Sequence, residues 1–249
     1  MLKIMTLNIN YDTGKHGPWH VRRELIQSVI EEHSPDAIAL QAVRRNPEAK
    51  SPADQATQLA GLLPEYRYVV FEPAIERPGG IADGSTLLSR LEIYAIDHIA
   101  LTLLPGLEDD NPRILMHAAI EVSGQPFHLF NAHFSWVEQQ AALNIAEALL
   151  YLNSFVGPKV LTGDFNTQPN SPLLKRFIDD GWVDVWSHLR PEEPGYTFES
   201  DHPGMRIDYA WVKEIPDEML KEIHLVEGEN APAAARLSDH LGLLVVLAL

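Results

Sequence analysis

Residues 159–166 read KVLTGDFN. Val160, Leu161 and Thr162 run as a strand, and Gly163, Asp164 and Asn166 carry it into a loop of the kind that Asx side chains favour. A carboxylate on an apolar strand is expensive to bury unless a cation, a histidine or a metal ion compensates it. The same ending recurs along the chain. TLNIN (6–10) delivers Asn8, FNAHF (130–134) delivers Asn131 and His133, and RIDYAWV (206–212) places Asp208 within an apolar strand. LSDHLGLL (237–244) sets Asp239 and His240 just before one. Taken singly, Asn8 reads as a strand-end turn residue, His133 as a satisfied half-buried histidine and Asp208 as a hydrogen-bonded core carboxylate. Taken together, three aspartates and two histidines imply a shared site. Oxygen-rich donors without cysteine suit Mg²⁺ or Mn²⁺ better than zinc.

Around these segments, strands are expected at Leu2–Leu7, Asp36–Gln41, Tyr68–Phe71, Ser85–Ser89, Ile93–Leu103, Ile114–Val122 and Gln125–Ala132, with a hairpin turn over 122–125. Pro18 opens a helix whose Val21, Leu25, Ile26, Val29 and Ile30 share one face, and another helix is expected around Ala53–Leu63. Ser135 and Glu138 have capping-box spacing before an apolar stripe running from Val137 to Leu152. Ser171-Pro172 starts a helix that Gly181 ends, and LGLLVVLAL (241–249) is a last strand. Helices and hairpin-linked strands mixed in this way fit a two-sheet core with helices outside better than a barrel of βα repeats. No repeat or long linker interrupts residues 1–249, so one domain is the simplest account.

With 19 basic against 35 acidic residues, the formal net charge is −16, and both halves of the chain are acidic. Such a protein repels polyanions at long range, which argues against an extended basic surface gripping nucleic acid. Arg22, Arg23, Arg44 and Arg45 remain candidates for a local cationic patch. There is no 18-residue apolar run, and MLKIMTLNINYD turns polar too soon for a signal-peptide core or a membrane span. A cytoplasmic location is expected. The absence of cysteine rules out disulfides, thiolate metal sites and a cysteine nucleophile.

In order along the chain, TLNIN, IALQAV (38–43), GSTLLSR (84–90), FNAHF, LTGDFN, RIDYAWV and LSDHLGLL resemble the signature blocks of the endonuclease/exonuclease/phosphatase superfamily. That superfamily includes deoxyribonuclease I, exonuclease III-type nucleases, neutral sphingomyelinases, inositol polyphosphate 5-phosphatases and tyrosyl-DNA phosphodiesterase. The resemblance covers nearly the whole chain. It implies a four-layer α/β sandwich, two mixed, mostly antiparallel sheets packed face to face with helices outside. It also implies hydrolysis of a phosphoester, phosphodiester or phosphomonoester, by an in-line water with a divalent ion, Mg²⁺ or Mn²⁺, stabilising charge. On that pattern Asp164 orients and deprotonates the water, and Asn166 bonds a phosphoryl oxygen or holds the nucleophile in line. His240 contacts a non-bridging oxygen and Asp208 fixes its tautomer. His133 donates a proton or hydrogen bond to the phosphate, and Asn8 and Asp239 lie in or next to the metal shell.

One block departs from the pattern. Where the family has LQEV, this chain has LQAV, and Ala42 offers no oxygen where a metal-ligand glutamate is expected. Three explanations stand open: an engineered change that captures substrate, a natural subgroup that recruits another ligand (Gln41, Asp12 or Glu72), or a pseudoenzyme that only binds a phosphorylated ligand or partner. For the substrate, a phosphorylated small molecule stands beside a nucleic acid as the alternative. The stretch from Asn10 to Arg23 is a candidate substrate wall, with Lys15, His16, Trp19, Arg22 and Arg23 able to meet a phosphate or stack a ring. Asn131 and Trp136 are further candidate substrate contacts.

Overall fold

A computed structural model of the protein describes residues 1–49, 51–228 and 235–249. Two six-stranded sheets lie face to face. The first is built from β1 (Leu2–Asn8), β2 (Ala37–Arg45), β3 (Tyr68–Glu76), β4 (Ala82–Ser89), β11 (Leu220–Val226) and β12 (Gly242–Leu247), in the order β11-β12-β1-β2-β4-β3. The second contains β5 (Ile93–Leu101), β6 (Arg113–Val122), β7 (Gln125–His133), β8 (Lys159–Asp164), β9 (Val183–Asp184) and β10 (Asp208–Lys213), in the order β5-β6-β7-β8-β10-β9. Among the described residues β1–β2 and β7–β8 pair in parallel and the other strand pairs are antiparallel. Helices α1 (Trp19–His33) and α2 (Gln55–Ala60) accompany the first sheet. Helices α3 (Glu138–Leu152), α4 (Pro172–Asp179) and α5 (Val185–Leu189) accompany the second. This is the expected four-layer sandwich with mixed, mostly antiparallel sheets.

Strand periodicity accounts for the layers. Alternate residues of β1, β2, β7, β8 and β10 point between the sheets, where Ile4, Ala39, Leu129, Val160 and Ala210 belong to one apolar core. The opposite face of the first sheet packs Met5, Ile38 and Leu40 on Ile26, Val29 and Ile30 of α1. That of the second packs Phe130, Leu161 and Trp211 on Ile145 of α3 and Phe177 of α4.

Toward one end, the residues of the inner face turn from apolar to polar. The first polar layer bridges the sheets. Gln41 Nε2 donates to Thr6 Oγ1 at 2.8 Å and across the sandwich to Asn131 Oδ1 at 2.7 Å. Asn131 Nδ2 donates in turn to the Leu40 and Thr86 carbonyls at 2.9 and 3.0 Å. Asn131 has no exposed surface, which corrects its expected role in substrate binding: its polar atoms are saturated by the opposite sheet. Removing it takes a side-chain donor from two carbonyls and one acceptor from Gln41 Nε2, which keeps Thr6 Oγ1 and the Ala39 carbonyl; each buried group left unpaired costs about 1–3 kcal/mol. Asn131→Ala is therefore expected to lower the unfolding free energy in urea by about 3 kcal/mol, whereas Gln41→Leu/Asn131→Leu together should cost less than the two single changes summed.

Two local expectations are corrected. Ser135 and Glu138 do not form a capping box: Ser135 Oγ accepts from Val137 N at 3.1 Å and Val137 occupies the cap position. The short-range hydroxyl–backbone bond wins over the longer one. The second helix is shorter than expected, because Asp54 caps it by accepting from Thr57 N.

Candidate functional site

The site is the next layer outward from Asn131 and Gln41. Gly163 lets β8 approach β7: a Cβ there would stand 1.9 Å from the Ala132 carbonyl oxygen, and the residue sits at φ +139. That closeness sets His133 directly beside Asp164 in the parallel register, and the antiparallel register of β10 sets Asp208 on the other side of Asp164. The loop after Asp164 turns back at once. Asn166 N donates to Asp164 Oδ1 at 2.8 Å and Asn166 Nδ2 to the Phe134 carbonyl at 2.9 Å. The Asx turn and the site are thus one piece of structure.

Asp164 Oδ2 is the hub. Asn8 Nδ2 donates to it at 2.8 Å, His133 Nε2 lies 3.4 Å away and His240 Nε2 3.7 Å away. His240 Nδ1 pairs with Asp208 Oδ2 at 2.9 Å, so the carboxylate orients the ring and leaves Nε2 facing Asp164. Asp239 joins through a chain of asparagines: Asn10 N donates to Asn8 Oδ1 at 2.9 Å and Asn10 Nδ2 to Asp239 Oδ2 at 2.6 Å. Seven of the sequence-derived positions, Asn8, His133, Asp164, Asn166, Asp208, Asp239 and His240, therefore converge.

Burial lifts the Asp164 carboxyl to about 6, with the charge of His240 pulling against it and that of Asp208 adding to it. Burial works against charge on His240 too, yet Asp208 and then Asp164 raise it to about 9. His133 goes the other way: burial, Arg113 and His240 hold it well below its ordinary value. The arrangement thus offers a base, a charged imidazole and a neutral imidazole around one point. Asp164, Asp208 and His240 each bring a donor atom within 4.8 Å of the others.

Ala42 lies beside this cluster on a β-bulge. Between Leu40 and Val43, strand β2 slips against β4 so that Gln41 and Ala42 together face Ser85. Ala42 is left-handed at φ 53, a conformation that costs an L-residue about 1–2 kcal/mol. The bulge carbonyls hold the loop after β1: Gln41 O accepts from Ile9 N at 3.0 Å and Ala42 O from Tyr11 N at 2.7 Å. Of the three candidate substitutes for the missing carboxylate, Asp12 is tied to Arg44 at 2.8 Å. Glu72 stands 3.4 Å from His98 on edge strand β3. Gln41 Oε1, by contrast, is buried with no hydrogen-bond partner among the described residues. The donor set fits a hard divalent ion, with Asp208, Asp239 and amide oxygens around the buried Asp164 carboxyl, which is already hard to ionise, but one charged ligand is absent.

The Asn10–Arg23 wall is corrected in large part. Arg22 is buried, and its guanidinium donates to the carbonyls of Ile9 at 2.7 Å, Leu237 at 3.1 Å and Tyr11. It ties the site loops to α1, and at 1% exposure it lies out of a substrate's reach. His16 is buried, Trp19 Nε1 bonds Gln58, and Lys15 pairs with Glu199. Nor do Arg44 and Arg45 form a free patch, since they pair with Asp83 and Glu76. Trp136 is exposed and lines a groove with Asn166.

Sequence reasoning missed Arg113 and Phe198, and took Asn10 only as the start of the candidate wall. Asn10 sits inside the TLNIN block, where its polarity was a signal. Arg113 opens an apolar strand, is 8% exposed, and is held by Asp109 at 2.9 Å beside a small pocket shared with Tyr11, Arg77 and His133. Phe198 packs its ring 4.9 Å from that of His240 and carries no signal in sequence.

A family model described as the Endonuclease/Exonuclease/phosphatase family matches residues 5–240. The chain belongs to that family. No curated protein matches it. Among solved structures, an endonuclease/exonuclease/phosphatase family protein from Leptotrichia buccalis C-1013-b superposes with a TM-score of 0.81 at 21% identity, covering 100% of both chains. A mannosyl-6-phosphatase from Bacteroides thetaiotaomicron VPI-5482 gives 0.75 at 18% identity, again over 100% of both. D. rerio TDP2 humanized by 14 mutations gives 0.75 at 17% identity, over 100% of this chain and 99% of that one. At such identities these likenesses establish the fold that the endonuclease/exonuclease/phosphatase family shares.

Proposed function

We propose that the protein hydrolyses phosphoester bonds with the help of a divalent cation, Mg²⁺ or Mn²⁺. The observation that carries this reading is the meeting of Asp164, Asp208 and His240 within 4.8 Å, walled by Asn8 and His133, in a chain of this family. Asp164 takes the proton of the attacking water; a carboxyl near 6 is a better base for that step than an ordinary one and is still ionised at neutral pH. Asn166 holds the water or a phosphoryl oxygen in line. His240, charged at neutral pH and steadied by Asp208, donates to a non-bridging oxygen, and neutral His133 donates a second hydrogen bond. Asn8 and Asp239 would hold the ion, which when bound supplies charge stabilisation on the phosphoryl and leaving oxygens.

A second reading rests on Ala42. A site lacking one charged ligand binds its ion more weakly, and a pseudoenzyme would bind phosphorylated ligands without turning them over. The nuclease alternative has the acidic surface against it. The deciding experiment is a turnover panel at saturating Mn²⁺ against EDTA. It should include bis-p-nitrophenyl phosphate, p-nitrophenyl phosphate, short DNA and RNA, sphingomyelin and inositol phosphates. At least one phosphoester is expected to turn over at least about tenfold faster with the ion, whose charge stabilisation adds to that of the positioned acid–base groups. Binding of a phosphoester with no turnover in either condition would favour the pseudoenzyme.

A further inference from the structure

A groove of about 500 Å³, open to solvent, runs from the reaction centre along α3 and α4. Its inner end is formed by Asn166 and by Phe198, the residue packed on His240. Trp136, 47% exposed, and Met205, 37% exposed, give it broad apolar faces. Glu138, Thr167 and Gln168 set polar atoms along the same wall, and none of the described lining residues is lysine or arginine. The other flank of the centre differs: there a small pocket sets Arg77 and Arg113, paired with Asp83 and Asp109, beside His133.

We propose that the groove holds the part of the substrate beyond the phosphate, and that this part is a neutral, hydroxyl-rich ring of the carbohydrate class. The proposal rests on the phosphoester reading above for the placement of the phosphate. An exposed indole, with a phenyl ring lining the same groove, offers flat apolar area to the C–H face of a ring, while a carboxylate, an amide and a hydroxyl are suited to its hydroxyl edge. A nucleic-acid strand would bring a second phosphate against Glu138, in a protein of net charge −16 and with no lining cation to offset it. The two flanks thus divide the substrate, with charge toward Arg113 and the uncharged ring toward Trp136.

The test is ligand binding followed by protein-observed NMR in Mn²⁺-free buffer and by tryptophan quenching with Mn²⁺ present, using glucose 6-phosphate, glycerol 3-phosphate and a short single-stranded DNA. Glucose 6-phosphate is expected to bind about tenfold more tightly than the acyclic phosphate, a step the size of one aromatic contact. Trp136→Ala should erase that ratio and Trp136→Phe should keep most of it, with both variants folded by circular dichroism. Equal binding of the two small phosphates, or a Trp136→Ala defect larger for DNA than for the hexose phosphate, would overturn the proposal. Trp136-dependent hexose binding without turnover of any phosphoester would leave the groove assignment standing and remove the hydrolytic one. Turnover with no preference for a ring would do the reverse.

Discussion

Ala42→Glu should raise Mn²⁺-dependent phosphoester turnover by about 10- to 100-fold, the range over which a single metal-site partner ordinarily acts. The bulge that carries position 42 is intact: it supports Ile9 and Tyr11 through the carbonyls of Gln41 and Ala42, and Asn8 pairs in register with Gln41. A glutamate at 42 therefore starts from a backbone already turned for the site. Its effect on stability should reverse with the ion. Without metal, a further carboxylate beside Asp164, whose carboxyl is already lifted to about 6, adds buried like charge and lowers the melting temperature in EDTA. With Mn²⁺ the variant should gain more thermal stability than the parent, because tighter binding to the native state stabilises it by mass action. Calorimetric Mn²⁺ titration and initial rates check both halves. Equal turnover before and after the change would show that the site does not use this ligand, and would direct attention to Gln41 Oε1, which has no partner among the described residues.

The convergence of the site was legible because each of its residues interrupts or borders an apolar strand, and a polar side chain at such a place is improbable without a partner. Which partner was less legible. Asn131 and His133 lie two apart on β7 and so share a face, as do Thr162 and Asp164 on β8. Sequence gives the face but not the depth, and one repeat of depth separates a side chain saturated by the opposite sheet from one that meets substrate. Arg22 misleads for a related reason: a cation near a site loop looks available until the carbonyls that Ile9, Tyr11 and Leu237 turn toward it are known. The strands β9 and β11 and helix α5 were not anticipated. The first is two residues long, and LKEIHLV alternates too weakly to stand out from its surroundings. Strand order likewise follows from long-range pairing that no local pattern encodes.

Asp208→Asn should lower kcat by about 10²-fold, the scale of a misdirected acid–base group, and should shift the alkaline limb of the pH–rate profile. His240 is buried, which by itself would strip its charge; Asp208 is the largest influence raising it, followed by Asp164, and together they bring it to about 9. The sign follows from the protonation that the reaction needs. His240 must be charged to donate to the phosphoryl oxygen, so kcat/KM is flat below the His240 value and falls as pH rises through it. Asp164 must be ionised, so the rate also falls as pH drops through about 6. Replacing Asp208 by asparagine removes the main support for the imidazolium and one of the charges that raise Asp164. The alkaline limb therefore moves toward neutrality, the acid limb moves slightly lower, and the working window narrows from above. A bound cation lowers both values, so parent and variant are compared at one saturating Mn²⁺ concentration. Nitrogen-15 NMR of His240 in the metal-free protein provides the second readout, with the variant losing its ring proton at a lower pH than the parent. An unchanged alkaline limb with undiminished kcat would show that Asp208 serves β10 packing alone, and that the charge on His240 is held by Asp164 or not required.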